Sequence, residues 1–203
     1  MSGNVISVKT LREKNFHSLE FTDQWYDWLG NPERNFKAII YGPSGSGKST
    51  FALKFVAYLA ESFGKVLYNS HEEGFSQTLQ DRIIENDIKA KNLFFADRMS
   101  YDDMCEKVKR GHFRFSVIDS LQYMGFKYSQ YKDFKDRFPR KGLIVISQTN
   151  NRGTIKGGTD IIHACDMKIK IHHGRAEIIS RFAKGTQTVT LFKPKSNQPT
   201  LFS

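Results

Sequence analysis

The chain has 203 residues, 39% of them hydrophobic and 26% charged, which suits one soluble α/β domain with a sizeable core and not two full ones. No apolar run approaches a membrane span, no secretory leader pattern opens the chain, and Cys105 and Cys165 are too few for a disulfide framework and have no metal-ligand spacing, so the expectation is a cytoplasmic protein without membrane attachment. The formal net charge of +10 favours a polyanionic partner without naming one.

Residues 1–35 are mixed and polar, with aromatics at Phe16, Phe21, Trp25, Tyr26 and Trp28, and read as a lead-in that packs on the core. Phe36–Tyr41 is a short apolar strand. Gly42, Pro43, Ser44, Gly45, Ser46, Gly47, Lys48 and Ser49 then form a complete P-loop, followed by a helix over Ser49–Phe63 that Gly64 stops. Strand, glycine loop and helix aim backbone N–H groups and the positive end of a helix at phosphates. Lys48 would bring its ammonium to the β- and γ-phosphates of ATP, Ser49 would give its hydroxyl to Mg²⁺, and Thr50 closes the cradle.

The segments alternate from there. Lys65–Asn69 reads as a strand, Phe75–Asn86 as a helix, Asn92–Ala96 as a strand and Tyr101–Arg110 as a helix. Phe113–Asp119 and Gly142–Gln148 read as buried strands. Asp166–Ile171 and Ala176–Ser180 follow as later strands, with Thr186–Phe192 as a hairpin partner. The fold class this implies is α/β: a mostly parallel sheet with helices on both faces and antiparallel hairpins at its end. The expected core spans residues 36–193, and residues 194–203 form a polar, loose tail.

Three strand ends carry further chemistry. Phe115–Ser120 is an apolar run that delivers Asp119 to the Mg²⁺ shell beside Ser49. Val66–Glu73 ends in Glu72 and Glu73, where a carboxylate can orient and deprotonate an attacking water. Leu143–Gln148 ends in a long neutral amide able to hydrogen-bond the γ-phosphate. Each alone is a common polar strand end; the three after one P-loop form a pattern.

The order of these motifs resembles the RecA-like ATPases, among them RecA, RadA, DnaB-type helicases and KaiC. It is carried by GPSGSGKST, VLYNSHEE, VIDSLQ, VISQTN and GGTDIIHACDMKIKI, from about Phe36 to Phe192. The resemblance implies that Glu72, with Glu73 as a near alternative, is the catalytic glutamate, Asp119 the Mg²⁺ acid and Gln148 the γ-phosphate sensor. It also implies that the following loop, Asn150–Gly158, contacts single-stranded DNA through Asn150, Asn151, Arg152 and Lys156. Members act as homo-oligomeric rings or filaments in which a basic hairpin residue reaches the neighbour's γ-phosphate; here Arg181 or Lys184 stands in that place, at a spacing that departs from the usual Lys-x-Arg. The chain has the size of a minimal core, similar to short recombinases of phages and mobile elements.

Residues 123–141 interleave aromatics with cations. Tyr131, Phe134 and Phe138 have the spacing of a buried helical stripe, which leaves Lys127, Tyr128, Lys132 and Lys135 for a DNA side. Other readings compete. The P-loop is close to that of guanylate kinases, but a nucleotide kinase would follow it with a basic substrate segment, and VLYNSHEEGFSQTLQ is acidic. An ABC ATPase would need a Leu-Ser-Gly-Gly-Gln signature, which is absent. An ATP-binding RecA paralogue that assembles with protein partners, or a clock-like one, remains open.

Overall fold

The computed structural model describes residues 5–150, 155 and 158–191. The elements run α1 (Val8–Glu13), α2 (Asp23–Leu29), β1 (Lys37–Gly42), α3 (Lys48–Ser62), β2 (Val66–Ser70), α4 (Gln77–Glu85), β3 (Leu93–Asp97) and α5 (Tyr101–Arg110). They continue with β4 (Phe115–Asp119), α6 (Leu121–Met124), α7 (Tyr128–Arg137), β5 (Gly142–Gln148), α8 (Thr159–Ala164), β6 (Met167–His172), β7 (Arg175–Ser180) and β8 (Thr186–Thr190). The strands form one sheet in the order β3-β2-β4-β5-β1-β6-β7-β8, parallel through β6 and antiparallel in β7 and β8.

The sequence reading and the structure agree on the strand and helix alternation and on the late hairpins. Boundaries differ by local chemistry. The helix expected from Phe75 begins at Gln77, because the Ser76 hydroxyl accepts from Leu79 N–H and caps it. The helix expected across 123–141 is two helices, broken at Gly125 in the left-handed region. Tyr131, Phe134 and Phe138 are buried as their spacing requires.

The apolar runs of β1, β2, β4 and β5 are uninterrupted because both their faces are covered. On one face lies α3, apolar around most of its girth, with Phe51, Phe55 and Leu59 against Ile40, Val117 and Ile144. Phe21 and Trp25 join this layer through ring contacts with Phe55 and Tyr58. On the other face α5, α7 and α8 cover Ile39, Leu67, Ile118 and Val145. β6 and β7 instead alternate buried and exposed residues, the mark of a sheet wing covered on one side. Because β1 to β6 all run the same way, their C-terminal ends gather at one pole. The crossover from β1 to β2 passes over β5 and β4, so the P-loop sits at the crevice where ligands bind in open α/β sheets.

Candidate nucleotide site

The P-loop leaves β1 at Gly42. That residue has no room for a side chain: a Cβ would lie 2.0 Å from the Ile171 carbonyl oxygen. Gly47 caps α3 at φ 95°, a left-handed conformation that glycine adopts without strain. Ser49 and Thr50 occupy the first turn of α3, where free N–H groups and the helix dipole favour an anion. Lys48 is buried, and its Nζ donates to the Pro43 carbonyl oxygen at 2.6 Å, folded back under its own loop. Burial lowers its ammonium's pKa, while Glu72 and Asp119 act to raise it. The tip of the β6–β7 hairpin, His172–Gly174, closes a cavity of about 270 Å³ against Pro43–Gly47.

Asp119 ends β4, directly beside Ser70 at the end of β2. Its Oδ2 accepts from the Tyr68 hydroxyl at 2.5 Å. Its Oδ1 is buried and has no hydrogen-bond partner. Burial pushes the carboxyl up to about 6, against the Tyr68 hydrogen bond, which pulls it down; Glu72 and Glu73 add to the rise. A buried carboxylate oxygen without a partner is costly unless something charged meets it. The donors fit Mg²⁺, which takes one or two protein oxygens and completes its shell with phosphates and water: Asp119 and the Ser49 hydroxyl would hold it. Among the described residues no group of three or more His, Cys, Asp or Glu could hold a metal alone.

The chain between β2 and α4 separates the two glutamates. The N–H groups of His71 and Glu72 both donate to the Asp119 carbonyl oxygen, at 2.5 and 3.0 Å, hooking this segment over the end of β4. Asn69 secures the hook from below, exchanging hydrogen bonds with the backbone of Met99 at 2.7 and 2.9 Å. Glu72 then meets Gln148, whose Nε2 donates to Glu72 Oε1 at 2.8 Å. Glu73 turns away into a two-bond pair with Arg82 of α4, at 2.8 and 2.9 Å. Gln148 lies level with Gly42 in the sheet. Its backbone is held by Gln122, whose Oε1 accepts from Gln148 N–H at 3.1 Å and whose Nε2 donates to Ser147 Oγ at 2.8 Å.

Lys48, Ser49, Glu72, Asp119 and Gln148 thus share one pole. Asn150 borders the same pole, lining a cavity of about 530 Å³ with Gly42, Pro43 and Arg175. Ile155 is buried and forms a β-bridge with Thr149. Asn151, Arg152 and Lys156 lie outside the described residues. Arg181 and Lys184 lie elsewhere. β7 is antiparallel to β6, so it ends at the opposite pole, where Arg181 pairs with Asp166 at 2.8 Å. Lys135 also sits there, around a cavity with Lys37 and Asp166, and so does not share a side with Lys127 and Tyr128 at the start of α7.

Sequence reasoning missed Tyr68, Gln122, Arg82 and the His172–Gly174 tip. Only the tip had an available signal: a strand parallel to β1 must end beside the P-loop.

No protein-family model matches the chain. Over 84 residues it is 34% identical to DNA repair protein RadA of Helicobacter pylori, a match covering 41% of this chain and 18% of that protein. It is 32% identical over 84 residues to DNA repair protein RadA of Campylobacter jejuni, covering 41% and 19%. The match spans about a fifth of the length of these curated relatives. Among solved structures, the ATPase domain of a DnaB-like helicase superposes with a TM-score of 0.61 at 15% identity, over 81% of this chain and 84% of that one. The fold is RecA-like. In a RecA-like core the five polar residues at the P-loop pole stand on separate strand ends, and only the sheet order brings them together. No described helix is long and apolar enough to cross a membrane.

Proposed function

We propose that the chain is a Mg²⁺-dependent ATPase of the RecA type that binds single-stranded DNA and works as a homo-oligomer. The observation that carries this reading is the single hydrogen-bonded line from the P-loop's neighbour strand to an acid: Gln148 on Glu72, with Lys48 and Asp119 beside them.

Backbone N–H groups of residues 44–49 cradle the phosphates, and Lys48 leaves the Pro43 carbonyl to put its charge on the β/γ bridge. Bound Mg²⁺ would neutralise phosphate charge as the γ-phosphoryl departs. Glu72 holds the attacking water and takes its proton. Gln148 exchanges its bond to Glu72 for one to the γ-phosphate, releasing the base when ATP is present. Because Gln148 lies two residues before the Asn150–Gly158 segment, that exchange pulls on the segment proposed to hold DNA. Arg181 and Lys184 stand at the pole away from their own P-loop, so either could act only on a neighbouring subunit's nucleotide. The RadA relatives, DNA repair proteins by name, and the net charge of +10 support the DNA partner.

The test is ATP turnover with and without single-stranded DNA at several salt concentrations. The reading expects stimulation by DNA of any sequence, lost as salt rises. Arg152→Ala with Lys156→Ala should flatten the log–log salt slope of binding by roughly 1.4 if both contact one strand. Turnover indifferent to DNA, with no DNA affinity in any nucleotide state, would favour the reading in which ATP drives assembly with protein partners.

A further inference from the structure

We propose that Tyr68 is a positioning residue for the divalent cation: its hydroxyl fixes Asp119 by one carboxylate oxygen so that the other is held out as the ligand. The inference rests on the nucleotide reading above and adds a residue to that site.

Tyr68 lies in the middle of β2, where composition alone reads it as one more core aromatic. It is 1% exposed, and its ring packs on Phe95 with centroids 5.3 Å apart. It pairs in register with Val117 of β4, so it stands on the same face as Asp119 and one pleat behind it. From there the phenol reaches along the sheet to Asp119 Oδ2 at 2.5 Å. A buried hydroxyl needs an acceptor, and in a core of apolar neighbours this carboxylate supplies it. Oδ1 lacks any partner among the described residues. A phenylalanine would fill the same space. The hydroxyl therefore has one visible consequence, which is to decide which carboxylate oxygen is left over and where it points. Partners of metal ligands act in this way, and losing one typically costs about 10–100-fold in metal affinity.

The test titrates MgCl₂ into the full chain holding a fluorescent ADP analogue, for wild type and Tyr68→Phe. The expected result is an approximately 10–100-fold rise in the Mg²⁺ concentration at half-saturation, with analogue affinity in EDTA unchanged. In an Asp119→Asn background, Tyr68→Phe should add nothing, because its effect passes through Asp119. An unchanged Mg²⁺ midpoint in a folded Tyr68→Phe protein, or an equal further loss in the Asp119→Asn background, overturns the proposal and leaves Tyr68 as core packing. Should Tyr68→Phe not fold, Tb³⁺ reads the same contact in the wild type. Tyrosine-sensitised emission that disappears in Asp119→Asn supports it, and absence of such emission refutes it. A wild-type protein that binds no analogue at all removes the nucleotide reading itself, and this proposal with it.

Discussion

At the residue scale, the two adjacent glutamates are told apart by their hydrogen bonds. Side chains one residue apart on extended chain point opposite ways, and here one reaches Gln148 while the other is held by Arg82. Glu72→Gln should keep ATP bound and cut turnover by roughly 10²-fold or more, the scale of a lost general base. Glu73→Gln should retain most turnover and lower thermal stability instead, because it loosens α4 from the β2 exit. Steady-state phosphate release for both variants decides the matter, and a dead Glu73→Gln beside an active Glu72→Gln would reverse the assignment. The glutamate pair itself was legible in the sequence as acids at a strand exit. Which of the two faces the site was not, because Arg82 lies nine residues on and across a turn.

At the element scale, β1 is held at both ends by different means. Its C-terminal end is packed so closely on β6 that only glycine fits at position 42. Its start is held by Lys37, buried, with Nζ donating to the carbonyls of Asn35 and Lys141 at 2.5 and 3.0 Å. Lys37 N–H donates to Asp166 Oδ2 at 2.9 Å, and the same carboxylate pairs with Arg181. Burial lowers the Lys37 pKa to about 8, with Asp166 opposing the shift. A lysine whose folded pKa is depressed holds fewer protons folded than unfolded between that value and its ordinary 10.5. Stability therefore rises as pH climbs from about 8 towards 10.5, and is insensitive to this group below that window. Urea midpoints measured at neutral pH and at two points inside that window should show the rise in wild type and lose it in Lys37→Met; the same rise in both would assign it to other groups.

At the scale of the whole molecule, the parallel strands were readable because strands covered on both faces are plain apolar runs. The hairpin wing was readable because MKIKIH and RAEIIS alternate. Motifs at strand ends were readable because phosphate chemistry dictates residue types. The tie from Tyr68 to Asp119 spans 51 positions and that from Gln122 to Gln148 spans 26, with no local pattern behind either. The polarity of the molecule follows from strand direction. One pole carries Lys48, Glu72, Asp119 and Gln148, and the other carries Arg181 and Lys184 on the far end of an antiparallel strand. A head-to-tail assembly would bring the second pole of one subunit to the first pole of the next.

The central claim is that this strand-end pole hydrolyses ATP. Phosphate release from ATP by the wild-type chain, measured over a range of protein concentrations with Mg²⁺ or with EDTA and beside Lys48→Ala, tests it most directly. The account predicts Mg²⁺-dependent release that rises per subunit with protein concentration and vanishes in Lys48→Ala. Release that persists undiminished in Lys48→Ala, or none from the wild type at any concentration with Mg²⁺ and single-stranded DNA present, would contradict it.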